Sequence, residues 1–134
     1  MSELVVTRTF VEPPDRVWHA ITDPEALAAW FWPPSFATRA VSELRPSGAF
    51  RIESAPMDMA VGGEFLEIEP TRRLSHTWKW DGDEHESVVA YALSAWLNGT
   101  TLVLTHTGLV DDTDRDNHIQ GWNDCFDRLP AYLA

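Results

Sequence analysis

The sequence has a single cysteine, Cys125, so it can form no internal disulfide, and a reducing, cytoplasmic setting is expected. No stretch approaches the ~18 consecutive apolar residues of a membrane span. Met1–Val6 lacks the basic start and long apolar run of a signal peptide, so neither membrane insertion nor secretion is expected. Asn98-Gly99-Thr100 fits the glycosylation pattern but reads as a turn. Basic residues are few: ten Lys and Arg against 21 Asp and Glu leave a formal charge of −11. Phosphate binding needs a concentrated basic surface, so nucleic acid and anionic membranes are excluded as partners. Internal repeats, low-complexity segments and dividing linkers are all missing, and residues 1–134 read as a single domain, a monomer or homodimer.

Catalytic signatures are equally scarce. There is no G-x-S-x-G, no phosphate-binding loop and no dinucleotide glycine pattern. His76, His85, His106 and His118 form no His-x-x-x-His pair, and no Cys-x-x-Cys accompanies them. His118 and Cys125 are seven residues apart on one helix, about 10 Å along its axis, too far for a thiolate–imidazole pair. Asp112-Thr113-Asp114-Arg115-Asp116 opens like a calcium loop, but Asn117 and Asn123 stand where that loop needs glycine and an acid. The run reads instead as acids at a helix N-terminus, where the macrodipole favours them. Neither metal nor cofactor is expected, and no catalytic residue is assigned.

What the sequence does have is tryptophan, seven in 134 residues, within an apolar content of 44%. Tryptophan suits both a core and a cavity wall, because it joins large apolar area to one polar handle. Leu4–Val11 alternates like a strand. Pro14 opens a short helix carrying Val17, Trp18 and Ile21. Asp23 caps a second helix with Pro24 at its first position and Leu27 and Trp30 facing inward; Trp32-Pro33-Pro34 ends it. From Phe36 to His106, turn signals such as Asp81-Gly82 and Asn98-Gly99 separate six strands of an antiparallel meander, giving seven strands in all. Ile119, Trp122, Phe126, Leu129 and Leu133 then mark a long C-terminal helix, with Pro130 expected to kink it or loosen its last turn. The class is α+β: a curved sheet with one helix laid across it, and a space between them.

Several segments resemble a known family. Thr7-Arg8-Thr9-Phe10, Pro14-Asp15-Arg16-Val17-Trp18, Thr22-Asp23-Pro24-Glu25-Ala26-Leu27 and Trp30 look like the N-terminal signature of the heat-shock-chaperone ATPase activator homologues. Arg45-Pro46-Ser47-Gly48-Ala49-Phe50, Gly63-Glu64-Phe65-Leu66-Glu67-Ile68, Thr105-His106-Thr107-Gly108-Leu109 and Gly121-Trp122 continue it. Ser47 and Thr71 depart from the usual glycine and proline. The resemblance implies the helix-grip fold of the START-like (SRPBCC) superfamily. That superfamily holds lipid carriers, cyclases, hormone receptors and co-chaperones, so fold does not fix function. The activator itself pairs such a domain with an N-terminal chaperone-docking domain, which is not expected here.

Candidate site residues follow from strand alternation and the facing helix. Leu74, His76, Trp78 and Trp80 share one face, as do Val89, Tyr91 and Leu93, and Leu102, Leu104 and His106. Phe50 faces the same way. Phe65 and Glu67 are placed inward too, with Leu66 and Ile68 competing for that register. The helix supplies Trp122, Cys125 and Phe126, and Trp30 and Phe36 lie at the mouth. Leu74, Leu93, Leu102, Leu104, Leu129 and Trp18 are core. For Trp78, Tyr91, His106, Trp122 and Phe126, core packing and cavity lining both stay open. The leading expectation is a pocket for a small hydrophobic or aromatic molecule. The rivals are a protein contact with a chaperone ATPase, and an enzyme of cyclase, dehydratase or hydrolase type using His106, Tyr91 or Glu67 as acid or base.

Overall fold

The computed structural model describes all residues, Met1–Ala134. The chain forms β1 (Ser2–Phe10), α1 (Pro14–Thr22), α2 (Pro24–Trp30) and a single 3₁₀ turn (Pro34–Phe36). Six strands follow: β2 (Arg39–Ser42), β3 (Ala49–Ser54), β4 (Met59–Glu69), β5 (Arg73–Trp80), β6 (Ser87–Trp96) and β7 (Gly99–Leu109), and α3 (Asp112–Leu133) closes the chain. All seven strands make one antiparallel sheet in the order β1-β7-β6-β5-β4-β3-β2. This is the helix-grip arrangement: a consecutive meander, with β1 returning beside the last strand and α3 lying over the sheet. No helix is long and apolar enough to cross a membrane.

Alternation builds the sheet's inner face. In β1, Leu4, Val6 and Phe10 are buried while Val5, Thr7 and Thr9 are exposed. Arg8 shares the inward parity and reaches α3, donating to Asn123 Oδ1 at 2.9 Å and pairing with Asp127 at 2.9 Å. The two short helices fill the gap between β1 and β2. The Asp23 carboxylate accepts from the Ala26 N–H at 3.0 Å, as an N-cap does. Trp30 Nε1 donates to the Ala20 carbonyl at 2.8 Å and locks α2 onto α1. Trp18, expected in the core, is only partly buried against it.

β4 overturns one expectation. Phe65 pairs with His76, but Glu67 pairs with Ser75, so an extra residue bulges from β4 between them. A bulge reverses the alternation beyond it. Phe65 points inward, Glu67 turns out to solvent, and Ile68 takes the core side. Glu67 is therefore no part of the concave face, and the cost of burying a carboxylate there never arises.

Ser47 occupies the left-handed region at φ 66°, a conformation that favours glycine. An L side chain there costs about 1–2 kcal/mol. Ser47→Gly should raise stability by about 0.5–1 kcal/mol once glycine's extra freedom in the unfolded chain is deducted, seen as a few degrees in Tm.

At the start of α3, Asp111 accepts from the Asp114 N–H at 2.9 Å, and Asp114 accepts from the Val110 N–H at 3.1 Å. The Asp112 carboxylate takes the Ser2 hydroxyl and Asp116 pairs with Arg115. No group of three His, Cys, Asp or Glu side chains is arranged to hold a metal ion. Pro130 does not end the helix, which continues to Leu133. That last turn is fastened from outside, the Arg16 guanidinium donating to the Leu133 carbonyl.

One continuous core runs from β1 to α3. On the α3 side Trp122, Phe126, Leu129 and Leu133 are buried in it, and toward α1 and α2 the void among Phe50, Phe65, His76 and Tyr91 is only about 20 Å³. The deep space expected between sheet and helix is thus filled by side chains. A cavity walled by aromatic rings lies at one end.

Candidate functional site

That cavity is a groove of about 440 Å³ between α3, from Asp114 to Arg128, and the segment from Phe31 to Phe36. Its floor is the end of β5, where Trp78 and Trp80 are two residues apart and so share the inner face. Along α3, residues at three- and four-residue steps line it: Asp114, His118, Gly121 with Trp122, Cys125, and Arg128. The opposite wall is Phe31, Trp32, Pro33 and Phe36.

Arg128 positions that wall. Its Nε donates to the Trp30 carbonyl at 3.2 Å and its Nη2 to the Phe31 carbonyl at 2.7 Å. Both carbonyls end α2, where a cation is favoured by the dipole. The Phe31–Phe36 segment is thereby tied to α3. Trp32 then stacks on Trp80, ring centres 6.2 Å apart and planes within 12°. Trp80 Nε1 donates to His118 Nε2 at 3.2 Å, and His118 Nδ1 donates to the Asp114 carbonyl at 2.8 Å. A continuous chain of contacts therefore closes one end of the groove, from wall to floor to helix.

Gly121 leaves the groove open. It sits mid-helix, where glycine costs about 1 kcal/mol against alanine, yet neither its φ nor a close neighbour demands it. A Cβ built there would meet nothing within 4 Å. The missing side chain makes room.

Of the ten residues expected at the site, Phe36, Trp78, Trp122 and Cys125 line the groove. Trp30 and Phe126 stack on each other beneath it at 6.3 Å, within the core. Phe50 and Tyr91 border the small void instead, and Glu67 is outside. His106 is fully buried under the floor, with Trp122 Nε1 donating to its Nδ1 at 3.1 Å. Trp32, Trp80, His118 and Arg128 were not among the expected site residues. Trp80 carried a signal, sharing the inner face with Trp78, and so did His118, one turn before Trp122 on the same helix face.

The hydrogen bonds of His106 fix its tautomer. An indole N–H can only donate, so His106 Nδ1 must be an acceptor and the ring's proton sits on Nε2. That proton is directed at Ser87 Oγ, 2.7 Å away. The dyad looks like a serine nucleophile with its base, but its polarity is reversed: His106 donates and cannot accept the hydroxyl proton. Burial, aided by the nearby His118 and His76, depresses His106 to about 3. Burial raises the Tyr91 hydroxyl far above its ordinary range and the Cys125 thiol to about 12. Trp78 Nε1 is buried beneath the groove surface with no acceptor.

Comparison with known proteins agrees with this architecture. No curated protein matches the sequence significantly. Among solved structures, protein CV1439 from Chromobacterium violaceum is 26% identical, covering 98% of this chain and 96% of its own, with a TM-score of 0.84. Protein MLL2253 from Mesorhizobium loti is 27% identical over 98% and 96%, with a TM-score of 0.85. CalU16 from Micromonospora echinospora is 27% identical over 98% and 76%, with a TM-score of 0.78. Residues 12–134 match the family described as Activator of Hsp90 ATPase homolog 1-like protein, and the chain belongs to that family.

Proposed function

We propose that the chain acts as one binding unit for a small molecule with a planar apolar ring, held in the groove between α3 and the Phe31–Phe36 segment. The observation that carries this reading is the open space over Gly121, bordered by the rings of Trp78, Trp80, Trp122 and Trp32. A volume of about 440 Å³ falls within the range of small-molecule sites, and aromatic walls with a few fixed polar groups are typical of them. His106, Tyr91 and Cys125 are held in unreactive states, which favours binding over chemistry at these residues.

Gly121→Leu tests the proposal. Leucine is a good helix former, so the variant should fold with equal or slightly higher Tm while its side chain occupies the groove. Planar aromatic probes that quench tryptophan emission in the native chain should lose affinity at least about tenfold. Unchanged probe binding by a folded Gly121→Leu protein would refute the groove as the site. Stimulation of a chaperone ATPase that survives the substitution would favour the protein-contact alternative.

A further inference from the structure

We infer that the groove's ligand is an organic cation, a planar aromatic ring bearing a positive charge. This rests on the groove being the binding site and adds the sign of the ligand's charge.

The aromatic wall is the first ground. Six rings border the groove: Phe31, Trp32, Phe36, Trp78, Trp80 and Trp122. Tryptophan faces attract cations more strongly than other rings do, and the attraction grows where water is excluded. The charges on the lining are the second. Asp114 and Asp124 face the groove and Arg128 is the sole basic side chain there apart from His118. Arg128 is already engaged, holding the Trp30 and Phe31 carbonyls and contacting Cys125 Sγ at 3.7 Å. It makes no ion pair with Asp124, which lines the groove without any ion-pair or hydrogen-bond partner. Asp114 spends one oxygen on the Val110 N–H and holds the other 3.3 Å from His118 Nδ1, so Asp124 is the carboxylate left free.

A bound anion would face both carboxylates with the one guanidinium committed elsewhere. Asp124 is exposed at the edge of the groove, and a neutral ring lying against it would return nothing to its carboxylate. A cation satisfies both the rings and the free carboxylate. The surrounding field has the same sign. Arg115 is occupied by Asp112 and Asp116, Asp83 and Glu84 follow Trp80 in the next turn, and the whole chain carries −11. Such a field concentrates cations at a cleft.

Three probes of one ring shape isolate the charge: 9-aminoacridine as cation, 9-anthracenemethanol as neutral compound and anthracene-9-carboxylate as anion. Their affinities for the intact chain are measured by calorimetry at physiological salt. The cation should bind at least about tenfold more tightly than the neutral ring, and the anion least tightly. Asp124→Asn should cut the preference for the cation to about threefold, and Gly121→Leu should remove binding of all three. Equal or tighter binding of the neutral probe overturns the inference while leaving the groove reading intact. Cation binding that survives Gly121→Leu also overturns it, since general attraction to an acidic surface then suffices. Failure of every probe to bind refutes the groove reading itself, and the inference with it.

Discussion

Trp122→Ala is expected to leave the protein unfolded, or loosely collapsed, at 37 °C. Trp122 is 2% exposed and is the hub of the aromatic core. It lies 5.1 Å from Trp78, stacks on Phe126 at 5.8 Å, and meets Phe31 and Tyr91 edge-on at 5.8 and 6.2 Å. Truncating a buried tryptophan to alanine costs about 3–5 kcal/mol. The same change strips His106 Nδ1 of its only donor, and a buried polar atom left unmatched costs about 1–3 kcal/mol more. The sum, on the order of 4–8 kcal/mol, rivals the whole stability of an ordinary domain, about 5–15 kcal/mol. Trp122→Phe separates the two contributions, since it keeps most of the ring packing and loses the hydrogen bond; about 2–3 kcal/mol is expected. Urea unfolding of both variants checks this. A loss under about 2 kcal/mol for the alanine variant would contradict the assignment of Trp122 as the core's hub.

The second large effect is acid sensitivity, set by two buried imidazoles. Burial, only partly offset by the hydrogen bond to the Thr77 carbonyl, depresses His76 from 6.5 to about 4. His106 falls from 6.5 to about 3. Both folded-state values lie below the unfolded one, so between pH 6.5 and about 4 the unfolded chain binds more protons than the native chain. Stability therefore rises with pH across that window, is fully present above about pH 6.5, and is lost as pH falls. Each group contributes at most about 1.4 kcal/mol per pH unit. By pH 4 the combined loss is on the order of 6 kcal/mol, enough to unfold a domain of ordinary stability. Chemical denaturation from pH 7.5 to 4 should show this slope. His76→Phe, which suits a ring already 4.3 Å from Phe50, should roughly halve it. A stability that stays flat from pH 7 to 5 would rule out neutral burial of these two rings.

The fold was legible because its signals are local. Asp23 caps α2 and the Asn98-Gly99 signal marks the tight turn between β6 and β7, where Trp96 pairs with Gly99, for reasons contained in a few residues. Alternation placed Phe50, Trp78, Tyr91 and His106 on the inner face, and all four are there. It failed at Glu67 because a bulge depends on how two strands register, which neither strand reveals alone. The site was less legible. Inward-facing residues can fill space or border it, and periodicity cannot tell these apart. Phe126 and Trp122 lie on one helix face, yet the first is sealed in the core and the second reaches the groove. Trp32 read as the end of a helix, because its stacking on Trp80 joins segments 48 residues apart. Arg128 showed nothing in sequence, since its role depends on two carbonyls supplied by α2.

Gly121 gives selection two opposing directions. Pools of variants sorted only for heat tolerance should gather side chains at this position, because almost any residue but proline improves the helix there. The same pools sorted for capture of a ring-bearing ligand should keep glycine. Redesign guided by thermal stability alone would therefore fill the space over Gly121.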